Sequence, residues 1–317
     1  MNLARTSALP FFERLPALSD PWEAALAFGP GTVMAVLSAT SGPASRSPGA
    51  AMAIAASGRF AGALTSGCIE ADLILQARKV RESGAPLHLR YGEGSAFMDL
   101  KLPCGGAIEV QLFMIRDVAP LTALSAARAD RRDVTLTLLA DGQLQLSDKV
   151  EAPSTGFAMH FGPGLRFLIF GAGAEAMVFA DLVRTLGYDH RLISHDAQSL
   201  ALGRQSGCDV LALTLGFEIQ ELVSDSRCAA VLFYHDHDYE TEILRQLMEG
   251  PAFYIGAQGS RATHAKRLAR LEDLGIDERQ LARVQGPIGL IPSARDPKIL
   301  AISALAEVLM QAEALGP

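Results

Sequence analysis

Leu165-Arg166-Phe167-Leu168-Ile169-Phe170 is an almost unbroken apolar run, followed at once by Gly171-Ala172-Gly173-Ala174-Glu175-Ala176. A strand with no polar face must be covered on both sides, which is the condition of a strand inside a parallel sheet. The glycines allow a tight turn from strand into helix, and the small residue in third place lets that helix pack closely on the strand. The alternation continues, with strands expected at 190–194, 209–213, 229–234 and 252–255 and helices between them. The pattern predicts an α/β fold whose C-terminal part is a Rossmann-like doubly wound parallel sheet. Asp196 stands 25 residues after Gly171, near where an acidic residue meets the ribose of a dinucleotide. The same residue equally suits the cap of the segment that follows it.

A chain of 317 residues has room for two cores. A smaller mixed α/β domain is expected at 1–160, ahead of the Rossmann-like domain at 161–317. Glu151 to Gly164, rich in proline, glycine and serine, is the expected linker, and 133–147 reads as a hairpin turning at Asp141-Gly142. A net charge of −7 argues against a nucleic-acid partner, which would demand a basic face. No apolar run reaches the roughly 18 residues of a membrane span. Met1 to Pro10 lacks the charged-then-apolar order of a secretory signal, so a cytoplasmic location is expected. The four cysteines, with no CxxC pair among them, then read as thiols and not as disulfides or a zinc knuckle.

In the first half, Asp20-Pro21-Trp22-Glu23 has the form of a helix start, with Asp20 as cap, Pro21 at the first position and Glu23 reaching back. A buried strand at 32–37 leads into the small, polar loop 38–50, whose only charge is Arg46. That loop suits ligand binding, or a plain surface connection with one solvated arginine. A hairpin across Ser57-Gly58 would deliver the chain to Thr65-Ser66-Gly67-Cys68, ahead of a helix with apolar residues at 69, 73, 77 and 80. Cys68 beside a helix N-terminus is a candidate ligand or nucleophile. Cys104, in Leu102-Pro103-Cys104-Gly105-Gly106, is a second thiol at a turn. Together they suggest a thiol-lined pocket with Gly67 and Gly105 beside it; the alternative is two small buried hydrophobes.

In the second half, His235-Asp236-His237-Asp238 offers metal-ligand chemistry or a capping turn. Gly256-Ala257-Gln258-Gly259-Ser260-Arg261 is a better anion loop, combining backbone approach at the glycines, a helix N-terminus, the Ser260 hydroxyl and the Arg261 charge. Asp296-Pro297 begins the last helix, where Ile299, Ile302, Leu305, Ala306 and Leu309 form a stripe that reads as core.

Taken in order, loop 41–50, Gly62 to Glu70, Pro103 to Gly106, Phe170 to Gly173, Tyr254 to Arg261, Gly286 to Leu290 and Pro297 to Glu307 resemble the XdhC/CoxI family. These are accessory proteins of molybdenum hydroxylases such as xanthine dehydrogenase. The resemblance implies a cytoplasmic, dimeric carrier without turnover. It would bind molybdenum cofactor, protect it while a cysteine desulfurase supplies its sulfur, and insert it into an apo-hydroxylase. Carried over, it makes Cys68 and Cys104 the thiols toward the metal. From their own chemistry, and not from the resemblance, Arg46, Gly67, Gly105, Gly256, Gly259, Ser260 and Arg261 are candidate contacts to the cofactor. Gly171, Gly173 and Asp196 would hold a nucleotide in the second domain, and from them comes the alternative function, an NAD(P)-dependent oxidoreductase. A third reading, sulfur relay through a persulfide on Cys68 or Cys104, differs from the carrier only in whether sulfur passes through the protein.

Overall fold

A computed structural model describes residues 16–95, 105–149, 156–214, 218–219, 222–223, 225–234 and 237–315, without the side chains of 237 and 238. The chain divides between Gly162 and Pro163 into two compact units. The first opens with α1 (Pro21–Phe28), followed by β1 (Val33–Ser41), β2 (Ala51–Ile54), β3 (Phe60–Gly62), α2 (Glu70–Ser83), β4 (Leu87–Gly92) and β5 (Ala107–Met114). α3 (Ala119–Ala129), β6 (Val134–Leu138), β7 (Leu144–Ser147) and β8 (Phe157–Phe161) complete it.

The cap of α1 forms as the sequence suggests, with Asp20 Oδ1 accepting the N–H groups of Trp22 and Glu23 at 2.8 and 3.0 Å. Glu23 turns instead to α3, where Ser125 donates to it and Arg128 lies 3.6 Å away. The main sheet has the order β3-β2-β1-β5-β4 and each pairing in it is antiparallel. Leu73, Ala77 and Val80 of α2 fill one face, as their spacing requires. The other face packs on α1, α3 and a second sheet of order β7-β6-β8. The expected hairpin is β6–β7, paired Leu138 to Leu144 across Asp141-Gly142. The expected linker is only partly one, because its second half is β8, which pairs with β6. Phe157, Met159 and Phe161 alternate toward the core there, and Trp22 meets Phe161 edge-on at 5.7 Å. A period-two pattern thus overrides a loop-like composition.

The second unit runs β9 (Arg166–Gly171), α4 (Gly173–Thr185), β10 (Asp189–Ser194), α5 (Ala197–Ser206), β11 (Val210–Ala212), β12 (Cys228–Phe233), α6 (His237–Glu249), β13 (Tyr254–Ala257), α7 (Arg261–Asp273), α8 (Glu278–Leu281), β14 (Val284–Gln285) and α9 (Pro297–Ala314). Its six strands are parallel, in the order β11-β10-β9-β12-β13-β14. This is the doubly wound arrangement of a Rossmann fold. α4 and α9 cover one face and α6 and α7 the other.

The last helix turns differently from the expectation. Leu300, Ala304, Leu305 and Val308 face the sheet, whereas Ile299 and Ile302 are 46% and 59% exposed and Ala306 is exposed. α9 is apolar nearly all round, so spacing alone does not select its buried side.

One buried ion pair ties α6, α7 and the end of β13. Arg267 lies 2.7 Å from Glu240 through both Nε and Nη2, and its Nη2 also donates to the carbonyl of Gln258. Nη1 donates to Nδ1 of His264 at 3.3 Å, with the imidazole proton on Nε2. Burial and the neighbouring guanidinium hold His264 below the usual imidazole range, so it stays a neutral acceptor. Arg267→Met strands a buried carboxylate and is expected to cost about 3–5 kcal/mol in urea denaturation, and Arg267→Met with Glu240→Leu to cost less. A double variant as unstable as the single one would refute the pairing account.

Candidate functional site

The antiparallel register gathers several loops at one end of the main sheet of the first unit. Ser41 at the end of β1 pairs with Ala107 at the start of β5, and Gly92 at the end of β4 pairs with Ala107 from the other side. β3 ends at Gly62 opposite Met52, at the start of β2. Loop 42–50 with Arg46, the turn 63–69 with Cys68, and the entry to β5 through Gly105-Gly106 therefore leave the same end. Gly106 is required there, since a Cβ on it would stand 2.1 Å from the carbonyl oxygen of Pro43. Arg46 and Gly105 are exposed. Cys104 lies outside the described residues, as do His235 and Asp236.

The thiol turn is built around one carboxylate. Glu70, the first residue of α2 and 8% exposed, accepts the N–H groups of Leu64, Thr65 and Ile69 at 3.1, 2.7 and 3.1 Å. The Thr65 hydroxyl donates to it as well, and its oxygen accepts the N–H of Cys68 at 3.0 Å. Thr65, Ile69 and Glu70 are buried while Ser66, Gly67 and Cys68 project into solvent. Burial alone would raise the Glu70 pKa, but the hydrogen bonds from Thr65 and Ile69 outweigh it and hold the carboxyl below its usual range. Cys68 lies two residues ahead of α2, next to the helix N-terminus as expected. What the turn provides to Cys68 is a fixed, exposed position. Cys208 and Cys228 are buried thiols that form no disulfide.

In the second unit the predicted residues fall in two places. Gly171 lies so close to β12 that a Cβ would meet that of Phe233 at 2.9 Å, and Ala176 packs on it from α4. Gly173, with φ +83°, opens α4, and its N–H donates to the Ser199 hydroxyl at 3.2 Å. Asp196 caps α5, with Oδ2 accepting the Ser199 N–H and hydroxyl, both at 2.7 Å, and these bonds lower its pKa. The polar groups of this glycine turn are thus partly used by the protein itself.

The other place is beyond β13. Gly256 is covered by the ring of Tyr254, whose hydroxyl donates to Glu307 at 3.0 Å. Gly259 packs tightly on Thr263, and Ser260 caps α7 through the Thr263 N–H. Gln258 to Arg261 form one wall of a cleft of about 760 Å³. The opposite wall, 287–295, follows β14 and brings Arg295, which sequence reasoning missed. Among the described residues no group of three or more His, Cys, Asp or Glu side chains could hold a metal ion, and no helix is long and apolar enough to cross a membrane.

Known proteins agree with this architecture. Residues 167–308 match the model described as the XdhC Rossmann domain, and residues 25–92 match that of the XdhC and CoxI family. The chain is 33% identical over 288 residues to the molybdenum cofactor insertion chaperone PaoD of Escherichia coli K12, covering 90% of this chain and 84% of that one. The uncharacterized protein YqeB of the same organism is 29% identical over 165 residues, 51% of this chain and 30% of its own. A crystal structure from Bacillus halodurans, titled a xanthine dehydrogenase, superposes with a TM-score of 0.73 at 21% identity, covering 93% of this chain and 95% of that one. The chain belongs to the XdhC and CoxI family.

The Glu70 clasp makes the first unit acid-sensitive. A carboxyl whose folded pKa is lowered adds stability that is complete above its unfolded pKa and is lost as pH falls through the folded value. Glu70→Gln removes an acceptor from several donors and is expected to cost about 1–3 kcal/mol at pH 7. In thermal melts from pH 7 to pH 3 the gap to the wild type should close toward the acid end; a gap independent of pH would contradict the clasp.

Proposed function

We propose that the chain is an accessory protein that takes up molybdenum cofactor as cargo, shields it while a cysteine desulfurase supplies its sulfur, and passes it to an apo molybdenum hydroxylase of the xanthine dehydrogenase type. The observation that carries this reading is the exposed Cys68 on a turn pinned by Glu70. A thiolate is a soft donor suited to a thiophilic metal such as molybdenum, and one thiol on an open turn can bind and release, as a closed metal cage could not. The likeness to PaoD along 90% of the chain supports the same reading. Arg46, on the loop at the same sheet end, supplies charge for an anionic group of the cargo. Cys104 is the candidate second thiol, one residue ahead of Gly105.

The test is equilibrium binding of anaerobically prepared molybdenum cofactor to the reduced protein, beside Cys68→Ser, Cys104→Ser and Arg46→Ala. Cys68→Ser is expected to weaken binding about tenfold or more with an unchanged melting temperature, since the thiol is exposed. Undiminished binding in that variant would remove Cys68 from the site, and no binding by the wild type, with saturable NADH binding instead, would favour the oxidoreductase.

A further inference from the structure

We propose that the outer face of α9 is a contact between two copies of this chain, packed antiparallel about a two-fold axis at Ala306. It stands on the second unit alone and needs neither the thiol turn nor the cargo. The stripe that reads as core in the sequence is only half used by the sheet. Leu300, Ala304, Leu305 and Val308 are buried against it, whereas Ile299, Ile302, Ala306 and Met310 are exposed, Ile302 and Met310 by 59% and 56%. At 3.6 residues per turn these four, with Glu313, fall within an arc of about 80° on the side away from the sheet.

That arc has Lys298 and Glu313 at its two ends, both exposed and neither in an ion pair among the described residues, and no charge between them. The one charged residue between them in sequence, Glu307, is turned back into the protein, where it accepts the Tyr254 hydroxyl and the Gly289 N–H. The loop after Gly289 widens the patch. The N–H of Leu290 donates to the Ser303 carbonyl and that of Ile291 to the Ser303 hydroxyl, so these two half-exposed side chains stand beside the stripe. A contiguous apolar surface of this kind marks an interaction site, as a single exposed leucine does not.

The order of the stripe selects the occupant. Four residues to either side of the small Ala306 stands a large apolar side chain, Ile302 before it and Met310 after it, and seven to eight residues out the charges are opposite, Lys298 and Glu313. A two-fold interface requires a surface complementary to itself. Turned antiparallel about Ala306, Ile302 of one copy meets Met310 of the second copy, and Lys298 comes opposite Glu313. Ala306 meets its own counterpart, where its small side chain lets the helices approach. Parallel packing would set Lys298 on Lys298 and Glu313 on Glu313, with the two helix dipoles aligned. The spacing 299, 302, 306, 310, 313, in steps of three and four, suits two helices crossing at a shallow angle.

Sedimentation velocity of the full chain tests the proposal, at concentrations from about 1 to 100 µM. The wild type is expected to reach twice its 33.7 kDa. Ile302→Asp and Met310→Lys should each raise the dimer dissociation constant about a hundredfold, with melting temperatures unchanged because both side chains are exposed. Leu274→Asp, at an exposed leucine ending α7 on the opposite face of the sheet, should leave it as it is. Lys298→Glu and Glu313→Lys should each weaken association about threefold or more, and the two together should restore it, which parallel packing does not predict. A wild type that stays monomeric throughout, leaving the face to a different partner, would overturn the proposal. So would a dimer undisturbed by both Ile302→Asp and Met310→Lys, or a double charge exchange no tighter than either single one.

Discussion

Burying a carboxylate is expensive unless donors converge on it, and each unit of this protein depends on one that has them. Glu70 draws together three backbone N–H groups and a hydroxyl across the junction between β3 and α2. Without that convergence the chain from Leu64 to Ile69 would have no reason to hold Ser66, Gly67 and Cys68 out of an otherwise buried segment. Glu240 does the same for the second unit through Arg267, which in turn fixes the carbonyl of Gln258 where the cleft begins. In both cases a charge placed in the core costs free energy and is offset by neighbours that define the course of a loop.

Sheet topology then decides which loops become neighbours. In the first unit the antiparallel pairing of β1 with β2 and β5 puts loop 42–50, the thiol turn and the entry to β5 at one end. In the second unit every strand runs the same way, so all loops that follow strands leave one edge of the sheet. Their chemistry differs along that edge. At β9 and β10 the Gly173 N–H and the Asp196 carboxylate are both engaged by Ser199, whereas beyond β13 and β14 Arg261 and Arg295 have no ion-pair partner among the described residues. The fold fixes the strand ends, and the side chains there decide what chemistry each end presents.

The legible parts of this chain are those whose cause is local. The apolar run before Gly171, the caps at Asp20, Asp196 and Asp296, and the hairpin at Asp141-Gly142 rest on neighbours within a few residues, and the structure contains each of them. The stretch 157–161 was obscured by the proline, glycine and serine before it, and becomes a strand because β6 offers a free edge. α9 could not be oriented from its residues, since nearly every side of it is apolar and only the sheet selects Leu300, Ala304 and Val308.

The candidate sites show the same division. Cys68 and its turn were marked by sequence, because a glycine-flanked thiol before an amphipathic helix is a local pattern; that Glu70 holds the turn was not, because its partners come from before the helix it begins. Arg261 was readable beside Ser260 at a helix start. Arg295 was not, since it meets that loop only through β14, a strand of two residues with no pattern of its own. The sequence by itself determined the two α/β units, the parallel sheet and the thiol turn, all of which follow from periodicity and turn chemistry. Only the tertiary structure decided which distant loops share a sheet end and which polar groups remain open to a ligand, because both depend on strand pairing between residues far apart in the chain.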